Sequence, residues 1–196
     1  MRAIKDGLVC QAGLEVWTPS CHNTELQMVS MITIRCYQES DAESVGRLIA
    51  DTYGEFNLSF VPPEERGPFL GPFRYARSPE KAHRDAIIEV VRAPMIYVAE
   101  DDGEVVGVLR GRRERLASLF VRADWQRQGI GRRLVEHFEQ ESVRQGTTVV
   151  RVAATLYAIP FYLALGYRKS TGMRTGWSFE GRGLKVQPMR KVLGKS

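Results

Sequence analysis

Apolar and polar positions first fall into register at Ile32, Ile34 and Cys36, which interleave with Thr33, Arg35 and Tyr37. A period of two predicts a strand with one buried face. The period then lengthens: Val45, Leu48, Ile49, Thr52 and Tyr53 recur at helical spacing. Ser40-Asp41-Ala42-Glu43 reads as the capping box of that helix. A second helical face follows, made of Ala82, Ala86, Ile87, Val90 and Val91. Ser78 is its expected cap, Pro79 its first residue, and it has to stop before Pro94. His83, in its first turn, reads as structural or solvated.

Strands follow over residues 95–100 and 105–111, joined by the turn Asp101-Asp102-Gly103, and over the short apolar run 116–121 after a second hairpin. Ile130, Leu134, Val135 and Phe138 then mark a long helix that Gly146 closes in a left-handed cap. Residues 147–154 are β-branched and fit a central strand. A short helix runs from Tyr157 or Ala158 to Leu165 and ends at Gly166. Residues 167–169 resume as strand, 172–183 read as a loop, and 184–193 as a last strand. Pro188 places part of that strand at an edge or bulge.

Two stretches break the pattern. Residues 1–30 show little periodicity and read as a poorly ordered extension, with Met28 or Met31 as a natural start and one domain over 31–196. Residues 54–77 carry Pro62, Pro63, Pro68 and Pro72 among Phe56, Phe60, Phe69, Phe73 and Tyr75. Either the aromatics pin a long loop to the core, or the stretch walls a binding pocket.

Composition narrows the class. The 196 residues are 43% hydrophobic and 26% charged, which suits one globular domain. No apolar run reaches the roughly 20 residues of a membrane helix, and the first thirty residues lack signal-peptide anatomy. The expected compartment is the cytoplasm, with no membrane partner. The net charge of +5 is uneven, with eight Lys or Arg against Glu180 alone from residue 168 onward. Nucleic acid is a weak candidate, because no stacking-aromatic or recognition-helix pattern accompanies that charge. Cys10, Cys21 and Cys36 are too few and too scattered for a disulfide framework or zinc site, so no metal is expected.

The chemistry concentrates between residues 116 and 140: strand, polar turn, then a helix opened by Gly129-Ile130-Gly131. Unpaired N–H groups and the positive dipole end at such a start suit a phosphate or pyrophosphate. Arg127, Arg132 and Arg133 add charge there. A Walker loop is excluded, because Arg132 and Arg133 follow Gly131. A dinucleotide fingerprint is excluded by Leu134 where a third small residue belongs.

What remains is Gln/Arg-x-x-Gly-x-Gly/Ala after a strand ending Leu-x-Val, carried by Leu119-Phe120-Val121 and Gln126-Arg127-Gln128-Gly129-Ile130-Gly131. It resembles the pyrophosphate loop of the GNAT (GCN5-related) N-acetyltransferase superfamily. A glycine-opened helix without a ligand is the plainer reading of this stretch alone. About thirty residues on, Ala158-Ile159-Pro160-Phe161-Tyr162-Leu163-Ala164-Leu165-Gly166-Tyr167 resembles the family's other signature, a small residue then Phe-Tyr-x-x-Leu-Gly-Phe/Tyr. The order of elements also matches. The resemblance implies an α+β GNAT fold: a mixed, mostly antiparallel sheet of six to seven strands, flanked by about four helices and splayed at strands 4 and 5.

The resemblance also implies acetyl-CoA as cosubstrate and acetyl transfer to an amine-bearing acceptor. Its pyrophosphate would meet backbone N–H groups of Gln128 to Arg132. Its pantetheine would meet unpaired backbone groups of Leu119 and Val121, and an N–H of that strand would stabilise the thioester oxyanion. Tyr162 falls where the family's general-acid tyrosine falls; the alternative is a core tyrosine beside Phe161. Two places depart from the family. Tyr157 stands where an Asn usually contacts pantetheine. Arg115 and Ala117 hold the in-facing places where many members carry a catalytic Glu, with Glu114 facing away. Arg110, Arg112, Arg113 and Arg115 either favour a carboxylate-bearing acceptor or form a solvated hairpin. Acidic lining for a polycation is limited to Glu55, Glu64 and Glu65. A non-catalytic acetyl-CoA-binding module is the competing function, and a homodimer through the last strands is a further expectation of the resemblance.

Overall fold

The computed structural model describes residues 32–194; the expected N-terminal extension, with Cys10 and Cys21, lies outside them. Eight strands form one sheet in the order β1-β2-β3-β4-β5-β8-β6, with β7 also pairing β8. They are β1 (Thr33–Cys36), β2 (Met95–Asp101), β3 (Glu104–Arg112), β4 (Arg115–Val121), β5 (Val149–Thr155), β6 (Arg168–Lys169), β7 (Arg174–Ser178) and β8 (Gly181–Val192). Five helices accompany them: α1 (Ala42–Thr52), α2 (Gly67–Leu70), α3 (Lys81–Val91), α4 (Ile130–Arg144) and α5 (Ile159–Ala164). The expected α+β fold is present, and every ladder except β4–β5 is antiparallel. Among the described residues, no helix is long and apolar enough to cross a membrane.

The sheet is covered on both faces, which explains the nearly unbroken apolar runs of its central strands, such as Met95–Ala99. On one face α4 buries Ile130, Leu134, Val135 and Phe138 against Leu109, Leu116 and Val150. On the other, Val45, Ile49, Ile87 and Val91 of α1 and α3 pack on Val98, Val108 and Phe120. Each such side chain, fully buried, contributes roughly 1.5–3 kcal/mol before entropy is counted.

Four local expectations are corrected. Ser40 is exposed and caps nothing; Asp41 instead accepts the Gln38 N–H at 2.7 Å. Helix α3 begins at Lys81, two residues past Pro79, because Glu80 is extended. Ser78 Oγ accepts the Glu80 N–H at 3.3 Å and bonds His83 Nδ1 at 2.7 Å. His83 is structural, stacked on Tyr75 with ring centroids 4.1 Å apart, while Ala82 is exposed rather than buried. The loop expected over 172–183 is a hairpin, β7 and β8, whose tip residue Phe179 sits at φ +51°.

Pro188 lies inside the sheet, not at its edge, opposite Ala153. Its carbonyl accepts the Ser170 N–H on the β6 side, so its missing N–H points that way too. There the outer ladder is interrupted, since β7 pairs up to Val186 and β6 resumes at Met189. The proline costs no ladder bond.

Asp41 anchors β1 to α1. Its carboxylate receives Arg35 at 2.7 and 2.9 Å, and Arg35 also bonds Glu100. Burial pushes the Asp41 pKa up, but the Arg35 hydrogen bond, the Gln38 N–H and the Arg35 charge together outweigh it and hold the carboxyl below its usual range. A depressed folded-state pKa gives stability above the unfolded value of about 3.9, lost as pH falls through the folded value. Asp41→Asn is therefore expected to cost about 1–3 kcal/mol at pH 7. The gap to wild type should close below about pH 4 in urea titrations. Parallel stability curves across that range would remove Asp41 from the pH response.

Candidate active site

The β4–β5 ladder holds only at Arg115–Arg151 and Leu116–Val152. Beyond those pairs the strands splay, as expected. On its other side β4 stays paired to β3, with a bulge where the register shifts between Arg110 and Gly111. The Arg122 N–H donates to Val106 O toward β3. By strand alternation, the backbone groups of Val121 and Leu119 then point the other way, into the gap. Val121's carbonyl is already engaged there, by Gln126 Nε2 at 3.1 Å. Phe120 turns its side chain into the α1 core, edge-on to Tyr53.

At the end of β4 the chain makes a short turn, Ala123–Trp125, then reaches α4. Arg127 and Gly129 both have positive φ, +64° and +83°. Gly129 is the N-cap of α4 and no side chain caps it. Arg133 donates to Gly129 O at 3.0 Å, which leaves the earlier N–H groups of the first turn free for an anion. Gln128, Gly129 and Arg132 are exposed around this cradle, while the Ile130 side chain is buried in the core. The side chains of Gln126 and Gln128 tie the loop to Val121 and Asp124 carbonyls. Gly131 serves packing: a Cβ there would lie 3.3 Å from the Phe161 ring. The two sequence signatures thus touch, α4 against α5.

The splay opens into a cavity of about 730 Å³, walled by β3, β4, β5, α5 and the β7–β8 hairpin. Tyr162 lines it from α5, 4% exposed and edge-on to both Phe161 and Tyr167. It is at once a core residue and a wall residue. Burial pushes its phenol pKa up, so the hydroxyl stays protonated and has a proton to donate. Among the described residues, that hydroxyl has no hydrogen-bond partner. Tyr157 is half exposed, stacks on Phe56 at 5.5 Å, and donates to Gln126 Oε1 at 3.2 Å. That bond spans the open end of the splay.

Arg115 and Ala117 line the cavity as expected. Glu114, expected to face away, lies on its rim, with Arg151 at 3.6 Å and Arg113 at 3.8 Å. Glu55, Glu64 and Glu65 take no part in the wall. Sequence reasoning missed Ser118, Asn57 and the hairpin wall. Ser118 carries a signal, being polar in the apolar run Leu116–Val121. Asn57 bridges to the end of β5, donating to Thr155 Oγ1 at 2.7 Å. The irregular stretch before α3 holds the hairpin in place: Ser178 Oγ donates to Phe69 O at 3.0 Å, and Arg74 pairs with Glu180 at 2.9 Å. Among the described residues, no group of three or more His, Cys, Asp or Glu is placed to hold a metal.

A family profile described as "Acetyltransferase (GNAT) domain" matches residues 73–193. Among curated proteins, no sequence matches. Solved structures do. A GCN5-related N-acetyltransferase from Rhodopseudomonas palustris superposes with a TM-score of 0.67 at 21% identity, covering 85% of this chain and 99% of the other. The PaiA N-acetyltransferase of Thermoplasma acidophilum, solved with coenzyme A, gives 0.58 at 17% identity over 83% and 99%. The ribosomal-protein-S18-alanine N-acetyltransferase of Escherichia coli gives 0.55 at 18% identity over 85% and 96%.

Proposed function

The chain belongs to the GNAT acetyltransferase family, and from that premise we propose that it moves an acetyl group from acetyl-CoA directly onto an amine. One observation carries the reading: the uncapped N-terminus of α4 opens beside the splayed gap, so an anion cradle and a slot for an extended chain adjoin. The residues fit the cosubstrate. N–H groups from Gln128 to Arg132 suit its pyrophosphate, with Arg127 and Arg132 adding charge. The free backbone groups of Leu119 and the N–H of Val121 suit its amides. Tyr157, in place of the family's usual Asn, supplies a hydroxyl at the mouth of the slot.

Acetyl-CoA supplies an activated acyl carbon and a thiolate leaving group. The chain supplies position and a proton. Holding both reactants in one cavity accounts for most of the rate, and outward N–H groups of β4 stabilise charge on the acyl oxygen. As the N–C bond forms and the C–S bond breaks, Tyr162 gives its hydroxyl proton to the departing sulfur. The acceptor's ammonium loses one proton by the wet rim of the cavity at Glu114, so the attacking nitrogen is neutral, and the second proton it sheds once the N–C bond has formed restores the Tyr162 hydroxyl.

The test is thiol release from acetyl-CoA over a panel of amines, amino acids, polyamines, aminoglycosides and short peptides, with calorimetry of acetyl-CoA alongside. Release with any acceptor class supports transfer and excludes the non-catalytic module. Tight binding without release favours that module, and failure to bind sinks the assignment of the α4 cradle.

A further inference from the structure

Arg110 of β3 and Ser118 of β4 are partners in register, and both line the cavity. Each holds a buried polar atom without a partner, Arg110 Nε and Ser118 Oγ. Burial lowers the Arg110 pKa, and no carboxylate among the described residues opposes it. A guanidinium in a wall without a counter-ion works against the fold.

The surroundings agree. Arg112, Arg115, Arg151 and Arg174 line the same cavity, whose one carboxylate, Glu114, already faces two arginines. Such a field draws anions and repels polycations. The pair is also set apart from the α4 cradle. Ser118 and Arg110 lie two residues from Phe120 and Val108, which pack on the α1–α3 core, so they share that sheet face. Helix α4 covers the opposite face.

We propose that the acceptor carries a carboxylate beside its amine, and that Arg110 and Ser118 bind that carboxylate. This rests on the acetyl-transfer reading and narrows the acceptor to small amino acids. The planar guanidinium matches two carboxylate oxygens in a fork, and the Ser118 hydroxyl donates one bond more. Arg110 is then a specificity residue, and its cost to the unliganded fold is repaid on binding.

The experiment measures acetyl transfer to the common amino acids, each paired with its α-carboxamide, with spermidine as the polycation. Wild type is expected to prefer acids over amides by about 50-fold or more in kcat/KM. Arg110→Met should erase that preference through KM while acetyl-CoA affinity holds and Tm stays level or rises. Arg110→Lys, charged but without the fork, should fall between. Equal use of amides or spermidine, a preference that survives Arg110→Met, or a lower Tm in that variant would overturn the proposal. If no acceptor releases thiol, calorimetry of the same acids and amides on CoA-saturated protein decides. Acid-selective binding lost in Arg110→Met upholds the carboxylate site and sinks the transfer reading. Absence of acid-selective binding overturns the site itself.

Discussion

Tyr162→Phe is expected to lower turnover at saturating substrates by about 10²-fold, the usual reach of one acid–base group. Acetyl-CoA affinity should stay within about twofold, because a phenol that meets only the departing sulfur adds little to ground-state binding. Thermal stability should also hold. The hydroxyl has no partner among the described residues, so its loss leaves nothing unpaired, and the ring keeps its contacts with Phe161 and Tyr167. Burial raises the phenol pKa, so wild-type turnover should show no alkaline fall from Tyr162 below about pH 10. Steady-state kinetics of both proteins from neutral to alkaline pH would check each point. An unchanged kcat in the variant would take Tyr162 out of the reaction and return it to the core.

Gly111→Ala is expected to damage fold and site together. A Cβ at that position would lie 2.6 Å from the Arg115 carbonyl oxygen and 2.8 Å from the Phe138 ring. The carbonyl is backbone within β4, and Phe138 is fully buried, so neither can swing aside. The strain should cost about 2–4 kcal/mol, a fall in Tm of about 5–15 °C for a domain of this size. Gly111 also sits at the bulge that sets Ser118 opposite Arg110. Residual folded protein should therefore lose activity beyond its loss of stability. Gly172→Ala is the control, since a Cβ there meets nothing within 4 Å. Differential scanning calorimetry and thiol release on both variants would read the two effects, and a Tm for Gly111→Ala matching the control would discard the argument.

The parts of the fold legible from sequence were those ruled by local periods. The β2–β3 hairpin showed itself through two apolar strand segments and the turn between them, where Asp102 and Gly103 take φ +45° and +83°. Helix α4 showed itself through Leu134, Val135 and Phe138, all buried. The β7–β8 hairpin stayed hidden because its tip uses Phe179 at positive φ, a residue with no turn signature. Gly131 was legible as part of the glycine loop but not as the space that Phe161 fills. The Arg110–Ser118 juxtaposition was illegible for a deeper reason. The bulge at Gly111 shifts β3 against β4 by one residue, and one residue decides which side chain of Ala117 and Ser118 faces Arg110.

The two pairs that join β4 to β5 carry a mechanical consequence. Ladders on either side pair β4 with β3, and β5 with β8, from end to end, while across the seam between them the ladder pairs are only Arg115–Arg151 and Leu116–Val152. A plate fastened along both halves but at one end of its middle joint bends at that joint. Here the sheet can open with the loss of few ladder hydrogen bonds, the α4 core holding its two halves together through Leu116 and Val150. The slot into which a long, jointed molecule would thread therefore runs along a sparsely bonded seam, one that can widen around each segment and close behind it.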